Sequence, residues 1–266
     1  MKIIVCVKQV PDTSGKVAVN PDGTLNRASM AAITNPDDLN AVEAALTLKE
    51  QTGAEVIIVS MGPPPAEGML REIQARGVDR AVLVSGREFG GSDTYATSQI
   101  LAAAIEKIGI EKDTVVFCGR QAIDGDTAQV GPQIAEKLGL PQVSYAADIQ
   151  KDGDTLTVKR MLEDGYMTIK VKTPCLVTCI KELNNPRYMS VGGIFECYSK
   201  PYEIFDYNTL KDNPLIDATT IGLKGSPTNI LTSFTPPQKG AGMMLEGADK
   251  ETCDKLAGLL AAKHII

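Results

Sequence analysis

Short runs rich in valine and isoleucine, separated by amphipathic helical patterns, constrain the fold of this chain more than any other feature. These runs lack the polar alternation of a half-exposed strand, which is typical of strands buried on both faces of a parallel sheet. Five of them lie before Ala146: Ile3–Lys8, Glu55–Met61, Arg80–Ser85, Thr114–Cys118 and a short one at Gln142–Tyr145.

Helical patterns lie between these runs. They cover Pro36–Thr52, Pro65–Arg76, Asp93–Ile108 and a stretch that places Val130, Ile134 and Leu138 on one face. The first pattern has Asn35 as its predicted N-cap, followed by a proline and two aspartates in the first turn. Repeated βα units of this length predict an α/β fold, a doubly wound parallel sheet with right-handed crossovers.

The pattern changes after Ala146. Asp-Gly pairs at 152–153 and 164–165 predict hairpins between the alternating segments Thr155–Lys159 and Met167–Lys172. We therefore predict one α/β domain at residues 1–212, with an antiparallel hairpin appendage inserted at about 146–173. The apolar run Cys175–Ile180 is expected to rejoin the main sheet.

The chain after about Asn213 is rich in proline, glycine, serine and threonine until a last helical pattern at Lys250–Lys263. A stretch of this length without periodicity is too long for an ordinary internal loop. We expect residues 213–266 to form a C-terminal arm and helix that pack on something other than their own core, such as another subunit.

Composition excludes several classes of function. The net charge is −6 and tryptophan is absent, which argues against nucleic acid and anionic lipid as partners. No window is long and apolar enough for membrane insertion, and Lys8 and Gln9 cut the first apolar run too short for a signal peptide, so we expect a cytoplasmic protein. Six cysteines without paired metal spacing predict reduced thiols.

Common catalytic and phosphate-binding signatures are also missing from the sequence. His264 is the single histidine, which argues against a Ser-His-Asp triad and against a histidine-rich metal site. Neither a G-x-G-x-x-G motif after a strand nor a G-x-x-x-x-G-K-[ST] motif occurs. We predict no metal site and no catalytic side chain.

The loop after the fourth apolar run, residues 119–131, is the strongest candidate site. If the first strand is central, this loop faces the end of the first strand at the point where the strand order reverses, which is where open parallel sheets bind ligands. Its glycines, Thr127, Arg120 and the following helix start suit a pyrophosphate. An ordinary polar loop with Asp126 as a capping residue fits equally well. Pro132 requires either a kinked first turn or a helix that starts near Gly131.

Two other loops are unusual. Gly86–Thr94 has adjacent glycines before a Ser-Asp helix cap, which indicates either a flexible surface approached by a planar ligand or a long capped loop. Glu182–Met189 places apolar residues in a polar loop that contains proline, so these residues contact a partner or anchor the loop on the core.

Several motifs together resemble the beta (small) subunit of electron-transfer flavoproteins, nearly end to end. The motifs are VCVKQVPD at 5–12, NPDD at 35–38, MGPP at 61–64, RQAIDGDTAQVG at 120–131, LNNPRY at 183–188 and LKGSPT at 223–228. FGGSDT at 89–94, NPDD and the glycine-containing loop resemble the bifurcating (anaerobic) branch of the family. The resemblance implies an adenine nucleotide alpha hydrolase-like fold.

The resemblance also implies site residues. The cofactor-binding set would be Cys6, Val7, Lys8, Asn35, Met61, Gly62, Thr94, Gly119, Arg120, Gln121, Asp124, Gly125, Asp126, Thr127, Ala128, Gln129, Val130 and Gly131. The NADH-facing loop would comprise Arg87, Phe89, Gly90, Gly91, Ser92 and Asp93. The partner-docking loop would comprise Leu183, Arg187, Tyr188 and Met189.

The function implied by the resemblance is electron bifurcation. A subunit of this branch forms a heterodimer with an FAD-containing alpha subunit and binds a second FAD, which accepts a hydride from NADH. One electron passes through the alpha-subunit FAD to an acyl-CoA dehydrogenase-like enzyme, and the other passes to ferredoxin or flavodoxin. The alternative is the respiratory form, in which the beta subunit holds AMP as a structural element.

Overall fold

The computed structural model describes residues 1–12, 31–229, 231 and 240–266. Its strands are β1 (Lys2–Cys6), β2 (Gln9–Pro11), β3 (Ala32–Thr34), β4 (Glu55–Met61), β5 (Arg80–Val84), β6 (Val115–Gly119), β7 (Gln142–Asp152), β8 (Thr155–Met161), β9 (Tyr166–Lys172), β10 (Cys175–Cys179) and β11 (Tyr202–Phe205). Its helices are α1 (Pro36–Thr52), α2 (Glu67–Gln74), α3 (Thr94–Ile108), α4 (Val130–Leu138), α5 (Val191–Glu196), α6 (Tyr207–Leu210), α7 (Gly222–Gly225) and α8 (Lys250–Ala261).

The main sheet confirms the predicted doubly wound α/β fold. Within the described residues it has nine strands in the order β11-β5-β4-β1-β6-β10-β7-β8-β9. Strand β1 pairs in parallel with β4 on one side and with β6 on the other. The chain therefore builds outward in one direction from β1, through β4 to β5, and then crosses back to place β6 on the opposite side of β1. The junction of β1 and β6 is the expected switch point.

Apolar side chains of the central strands are buried on both faces of the sheet. Along β1, Ile3 and Val5 pack into one hydrophobic cluster with α1 and α2, whereas Ile4 and Cys6 pack into a second cluster with α3 and α4. This two-sided burial explains why the strands are apolar without alternation. Each fully buried isoleucine contributes about 1.5–3 kcal/mol of burial free energy, so the helices are held firmly on both faces.

The predicted hairpins form, but they are not separate from the main sheet. Strand β7 pairs in parallel with β10 at its start and antiparallel with β8 over its later residues. Strand β9 then pairs antiparallel with β8 and forms the sheet edge. The register shifts near Tyr145, whose φ of 59° marks an irregularity where β7 changes partner. The run Cys175–Cys179 rejoins the sheet between β6 and β7, as expected.

The segment after Asn213 differs from its prediction in its first part. Ile216 and Ile221 are buried in the cluster that α3 covers, so this stretch packs on the domain's own core rather than away from it. The later part agrees better with an arm, since the described residues of α8 are not buried against the rest of the chain. Strand β11, which pairs in parallel with β5, was not predicted from the sequence.

The described residues contain no disulfide, no membrane-spanning helix and no metal-binding cluster. All six cysteines are free thiols, and Cys253 is the exposed one. Among the helices that the structure describes, none is long and apolar enough to cross a membrane. Within the same residues, no group of three or more histidine, cysteine, aspartate or glutamate side chains is arranged to hold a metal ion.

Candidate functional site

The candidate site lies at the carboxyl ends of β1, β4 and β6. Beyond β1, the N–H of Val7 donates to the carbonyl of Val59 at 2.9 Å, so the extended backbone continues to the edge of the sheet. The segment that begins at Met61 follows β4, and loop 119–131 begins at the end of β6. The sheet order thus brings together the segments that the sequence placed at the switch point.

Asp38 joins the ends of β1 and β6 across the switch point. Its carboxylate accepts hydrogen bonds from the backbone N–H of Lys8 at 2.8 Å and of Gly119 at 3.0 Å. A Cβ at Gly119 would collide with this carboxylate, so only glycine fits there. Complete burial raises the pKa of Asp38 to about 7, although these hydrogen bonds act in the opposite direction. Sequence reasoning assigned Asp38 only to the first turn of α1.

Asn35 joins loop 119–131 to the segment that follows β1. Its side chain donates to the carbonyl of Gln121 at 2.8 Å and accepts from the N–H of Ile123 at 3.1 Å, while its own N–H donates to the carbonyl of Lys8 at 2.9 Å. Asn35 does precede α1, but within the described residues its side chain makes no capping bond to that helix. Asn35 therefore occupies the predicted N-cap position, but its side-chain amide positions the loop instead of capping the helix.

The acidic residues of the loop are engaged by neighbours. The ammonium of Lys8 contacts both carboxylate oxygens of Asp124, at 2.7 and 2.9 Å. The carboxylate of Asp126 accepts from the side-chain amide of Gln121 at 2.8 Å. Asp126 is not a cap of α4, since the N-cap position belongs to Gln129. Both carboxylates of the loop are thus engaged by side chains of the same site.

The start of α4 resembles an anion-binding site. Helix α4 begins at Val130, close to the Gly131 start that the sequence allowed, and Pro132 occupies the third position, where a missing N–H breaks no helical bond. Among the described atoms, the side chain of the N-cap Gln129 gives no capping hydrogen bond. Asp126 and Ala128 have φ of 50° and 53°, which turns the preceding backbone sharply. An uncapped N-terminus presents free N–H groups and the positive end of the helix dipole.

Gly131 brings this helix end close to the sheet. A Cβ added there would lie 2.9 Å from Thr178 Cγ2 and 3.4 Å from Cys118 Cβ. Cys118 is the register partner of Cys6 on the neighbouring strand, and both thiols are buried. Hydrogen bonding to Cys6, together with burial, raises the pKa of the Cys118 thiol. Two buried thiols therefore lie beneath this end of the cleft.

The backbone N–H and the guanidinium of Arg120 are engaged by groups away from the start of α4. Its backbone N–H donates to the carbonyl of Cys179 at 2.8 Å, and its Nε lies 3.3 Å from Asp37 Oδ2. Burial raises the pKa of Asp37, against the effect of the nearby Arg120. The guanidinium also lines a cavity of about 450 Å³ with Tyr145 and Arg160. The predicted contact of Arg120 with a diphosphate therefore competes with its ion pair to Asp37.

Loop 87–93 is held by the C-terminal segment. The N–H of Gly222 donates to Ser92 Oγ at 3.0 Å, and the N–H of Asp93 donates to Ser226 Oγ at 2.8 Å. Gly91 has a φ of 75°, and a Cβ there would lie 2.8 Å from Leu223 Cβ. Phe89 is buried. These contacts favour the alternative of a capped and anchored loop.

Thr94 connects this loop to the candidate nucleotide loop. Its hydroxyl donates to the side-chain carbonyl of Gln129 at 2.9 Å. One turn later, the Ser98 hydroxyl contacts Gln133 Oε1 at 3.1 Å. The N-termini of α3 and α4 are therefore tied side by side, which places the predicted NADH-facing loop next to the predicted cofactor loop.

The residues of the predicted docking loop have different environments. Leu183 packs against the hydrophobic cluster beneath α1, which makes it a core anchor. Arg187 is engaged by Glu43 and Glu50 of α1, which raises the pKa of its guanidinium. Tyr188 is 93% exposed and Met189 is also exposed. Of the four side chains, only those of Tyr188 and Met189 are exposed.

A larger apolar surface follows this loop and was missed by the sequence reasoning. The exposed fractions are 74% for Val191, 80% for Phe195 and 73% for Tyr198. Arg71 of α2 stacks on the rings of Tyr198 and Tyr202, 5.5 and 4.7 Å from their centroids, and so fixes this surface on the domain. The spacing of Val191 and Phe195 is the one signal that pointed to a shared helix face. We call Tyr188, Met189, Val191, Phe195 and Tyr198 the apolar docking surface.

The apolar docking surface lies far from the cleft. Arg187 binds the second half of α1, at Glu43 and Glu50, whereas Asn35 and Asp38 at the start of α1 line the cleft. Fifteen residues of helix separate Asn35 from Glu50, which corresponds to about 22 Å.

Comparison with known proteins gives consistent matches. A family model described as the electron transfer flavoprotein domain matches residues 22–201. The chain is 68% identical to the acryloyl-CoA reductase electron transfer subunit gamma of Anaerotignum propionicum, with 100% of both chains covered. It is 50% identical to the caffeyl-CoA reductase-Etf complex subunit CarD of Acetobacterium woodii, and 49% identical to the electron transfer flavoprotein subunit beta of Clostridium acetobutylicum, each with 100% of both chains covered.

Proposed function

The chain belongs to the electron transfer flavoprotein family as a beta-type subunit, and from that premise we propose that its switch-point cleft binds the adenine-nucleotide end of an FAD. The observation that carries this proposal is the uncapped N-terminus of α4, packed through Gly131 against the sheet at the reversal of strand order. Free N–H groups at such an edge favour the diphosphate of a dinucleotide.

The remaining residues of the cleft suit the rest of the nucleotide. Cys6, Val7, Met61 and Gly62 would surround the adenosine end, since they stand at the ends of the adjacent strands β1 and β4. The loop from Gly119 to Gly131 would hold the ribose and diphosphate, with its backbone fixed by Asn35. Beneath the cleft, the raised pKa of Cys118 keeps that thiol uncharged, so it adds no charge that would repel an anion.

A flavin bound here would supply hydride acceptance from a nicotinamide and the onward transfer of single electrons. The chain's own contribution is to bind and orient: the anchored loop 87–93 and Thr94 stand beside the start of α4, where NADH would approach. This arrangement uses no acid–base side chain. We propose that the two electrons of NADH pass to different acceptors, namely ferredoxin or flavodoxin and an acyl-CoA dehydrogenase-like enzyme.

The proposed partners correspond to separate surfaces. We assign α8, which has no buried residue and exposes Leu256 and Leu259, to contact with an FAD-containing alpha subunit. We assign the apolar docking surface to the dehydrogenase-like enzyme. The names of the relatives from acryloyl-CoA and caffeyl-CoA reductase complexes support a reductase complex of this kind. We propose that the complex acts in the cytoplasm in anaerobic metabolism.

NADH titration of the purified heterodimer under anaerobic conditions tests this proposal. The double variant Asp126→Ala with Thr127→Ala is expected to lose the flavin of this subunit and with it the bleaching of flavin absorbance by NADH. The paired control, Asp148→Ala with Gln150→Ala, changes exposed residues of β7 outside the cleft and should behave like the wild type. Full bleaching in the cleft variant, or none in the wild type, would exclude hydride transfer at this site.

A further inference from the structure

The ends of β1 and β6 are not hydrogen-bonded to each other where they leave the sheet; a buried carboxylate stands between them. The last registered pair of these strands is Cys6 with Cys118. Beyond it, the N–H of Val7 donates to Val59 of β4, whereas the N–H groups of Lys8 and Gly119 both donate to Asp38. The Asp38 carboxylate thus replaces backbone acceptors at the point where β1 and β6 separate to form the cleft.

We propose that Asp38 is a positioning residue of the nucleotide cleft, because it fixes the separation of the β1 and β6 ends on which the ligand rests. This inference rests on the proposed function, in which the backbone after β1 and after β6 holds the nucleotide. Asp38 does not need to touch the ligand. Its two oxygens each accept one backbone N–H, so the ionised carboxyl group is the form that makes both bonds at full strength.

The two bonds restrain the same segments that bear the site residues. Lys8 follows directly on Cys6 and Val7, and its ammonium reaches across to Asp124 in the other wall. Gly119 opens loop 119–131, and the collision that any larger residue there would make with the carboxylate shows how closely the two are packed. Hydrogen bonds to a charged acceptor are stronger than neutral ones, so losing one widens or loosens the cleft measurably.

Protonation offers a way to separate positioning from general stability. Burial raises the pKa of Asp38 to about 7, so the carboxyl group changes charge in an accessible pH range. Protonation turns one oxygen into a donor, which can no longer accept from the backbone N–H facing it. Nucleotide affinity should therefore fall as the pH decreases through this range. An asparagine at this position should behave as the protonated acid does at every pH.

Several groups face Asp38 from the elements packed against it. Asn35 contributes a side-chain hydrogen bond to it. Cys118 of β6 and Cys179 of β10 face it from the sheet, and their thiols have pKa values raised above the ordinary value, so both remain neutral when Asp38 titrates. The charge of Lys8 is paired with Asp124. Asp37, beside it on α1, is a second carboxyl whose pKa burial raises, so the comparison of Asp38→Asn with the wild type is what assigns the titration to Asp38.

The experiment is a fluorescence titration of the purified heterodimer, freed of exchangeable nucleotide, with FAD at about pH 5.5 and about pH 8.5. Asp38→Asn should raise the Kd about tenfold at the higher pH, and this difference should shrink at the lower pH. Asp79→Asn is the matched control. Asp79 also accepts a strand N–H, from Val56 at 2.9 Å, but at the amino end of β4, away from the cleft. Its Kd should equal that of the wild type.

Three results would overturn the role of Asp38: equal Kd values for Asp38→Asn and wild type, an increase that is the same at both pH values, or an equal increase in Asp79→Asn. If Asp38→Asn does not fold, the wild-type profile decides, because affinity that does not fall on acidification contradicts the proposal. A parallel titration with AMP separates the two claims. A wild type that binds AMP but not FAD removes the FAD assignment, and the response of AMP binding to Asp38→Asn still decides the role of Asp38.

Discussion

Asp93 and Thr228 are joined by two hydrogen bonds although 135 residues separate them in the chain. The same carboxylate oxygen of Asp93 accepts from the N–H of Thr228 at 3.0 Å and from its hydroxyl at 2.7 Å, while the other oxygen caps α3 through Ala96 at 3.0 Å. The motif at 223–228 is therefore part of the architecture of loop 87–93. The arm holds in place the loop that we assign to NADH.

Thr228→Ala tests this anchoring. It removes the hydroxyl donor and should lower the local stability of loop 87–93 by about 1 kcal/mol. The expected result is faster amide hydrogen exchange in residues 87–93 with unchanged exchange in the central strands. Thr209→Ala is the control, because Thr209 makes the same pair of bonds to Asp206, but only three residues away. Unchanged exchange in loop 87–93 of Thr228→Ala would show that the arm does not anchor it.

Gly131→Ala tests the close approach of α4 to the sheet. The new Cβ would lie 2.9 Å from Thr178 Cγ2, so the helix end must shift and nucleotide affinity should fall about tenfold or more. Thr178→Ser removes the opposing methyl group and keeps the hydroxyl that accepts from the N–H of Tyr145. We expect the double variant to regain most of the affinity in a titration with FAD.

Gly165→Ala is the control for that series. Gly165 lies between β8 and β9, and no described atom lies within 4 Å of a Cβ at this position, so the substitution should leave the affinity unchanged. If Thr178→Ser fails to restore binding in Gly131→Ala, the loss comes from the helix end itself and not from the contact with the sheet.

The pH dependence of stability should reveal Asp38. Its pKa is raised from 3.8 to about 7 by burial, so the folded state binds this proton more tightly than the unfolded state. The free energy of unfolding should therefore decrease as the pH rises from 3.8 to about 7, by up to about 4 kcal/mol from this group. Asp38→Asn should lack this decrease. Urea unfolding at several pH values measures it, and parallel profiles for the two proteins would contradict the assignment.

Substitutions on the apolar docking surface should affect only the partner reaction. Phe195→Ser replaces a side chain that is 80% exposed, so the free energy of unfolding should change little while electron transfer to the dehydrogenase-like enzyme slows. Leu183→Ala should lower the free energy of unfolding by about 2 kcal/mol, because Leu183 packs on the core, and should leave the electron-transfer rate unchanged. Stopped-flow transfer rates and urea unfolding distinguish the two. Slower transfer only in Leu183→Ala would place docking at the loop instead.

Much of the fold followed from local patterns. Helix Pro36–Thr52 and strand Glu55–Met61 agree with the structure to the residue, because proline, glycine and unbroken apolar runs determine where each begins and ends. Strand β11 was not predicted, since four residues at a sheet edge carry little periodicity of their own. The burial of Ile216 and Ile221 also depends on a distant cluster that local sequence does not specify.

The candidate site, like the fold, could be predicted only in part from local sequence. The position of loop 119–131 followed from strand order, which depends on patterns, but the partners of individual polar side chains did not. Asn35 and Asp126 have the composition of capping residues, yet one holds a loop across the switch point and the other accepts from Gln121. Asp38 looked like an ordinary acidic residue at a helix start. Its role as the acceptor for the N–H groups of Lys8 and Gly119 depends on the pairing of β1 with β6, which are far apart in sequence.

The nucleotide content of the purified wild-type heterodimer tests the central claim most directly. The complex is denatured, and the released FAD and AMP are counted per heterodimer by chromatography. We expect two FAD, one from the alpha subunit and one from the cleft between β1 and β6, with no AMP. One FAD together with one AMP would contradict the proposed function and identify the cleft as a structural nucleotide site.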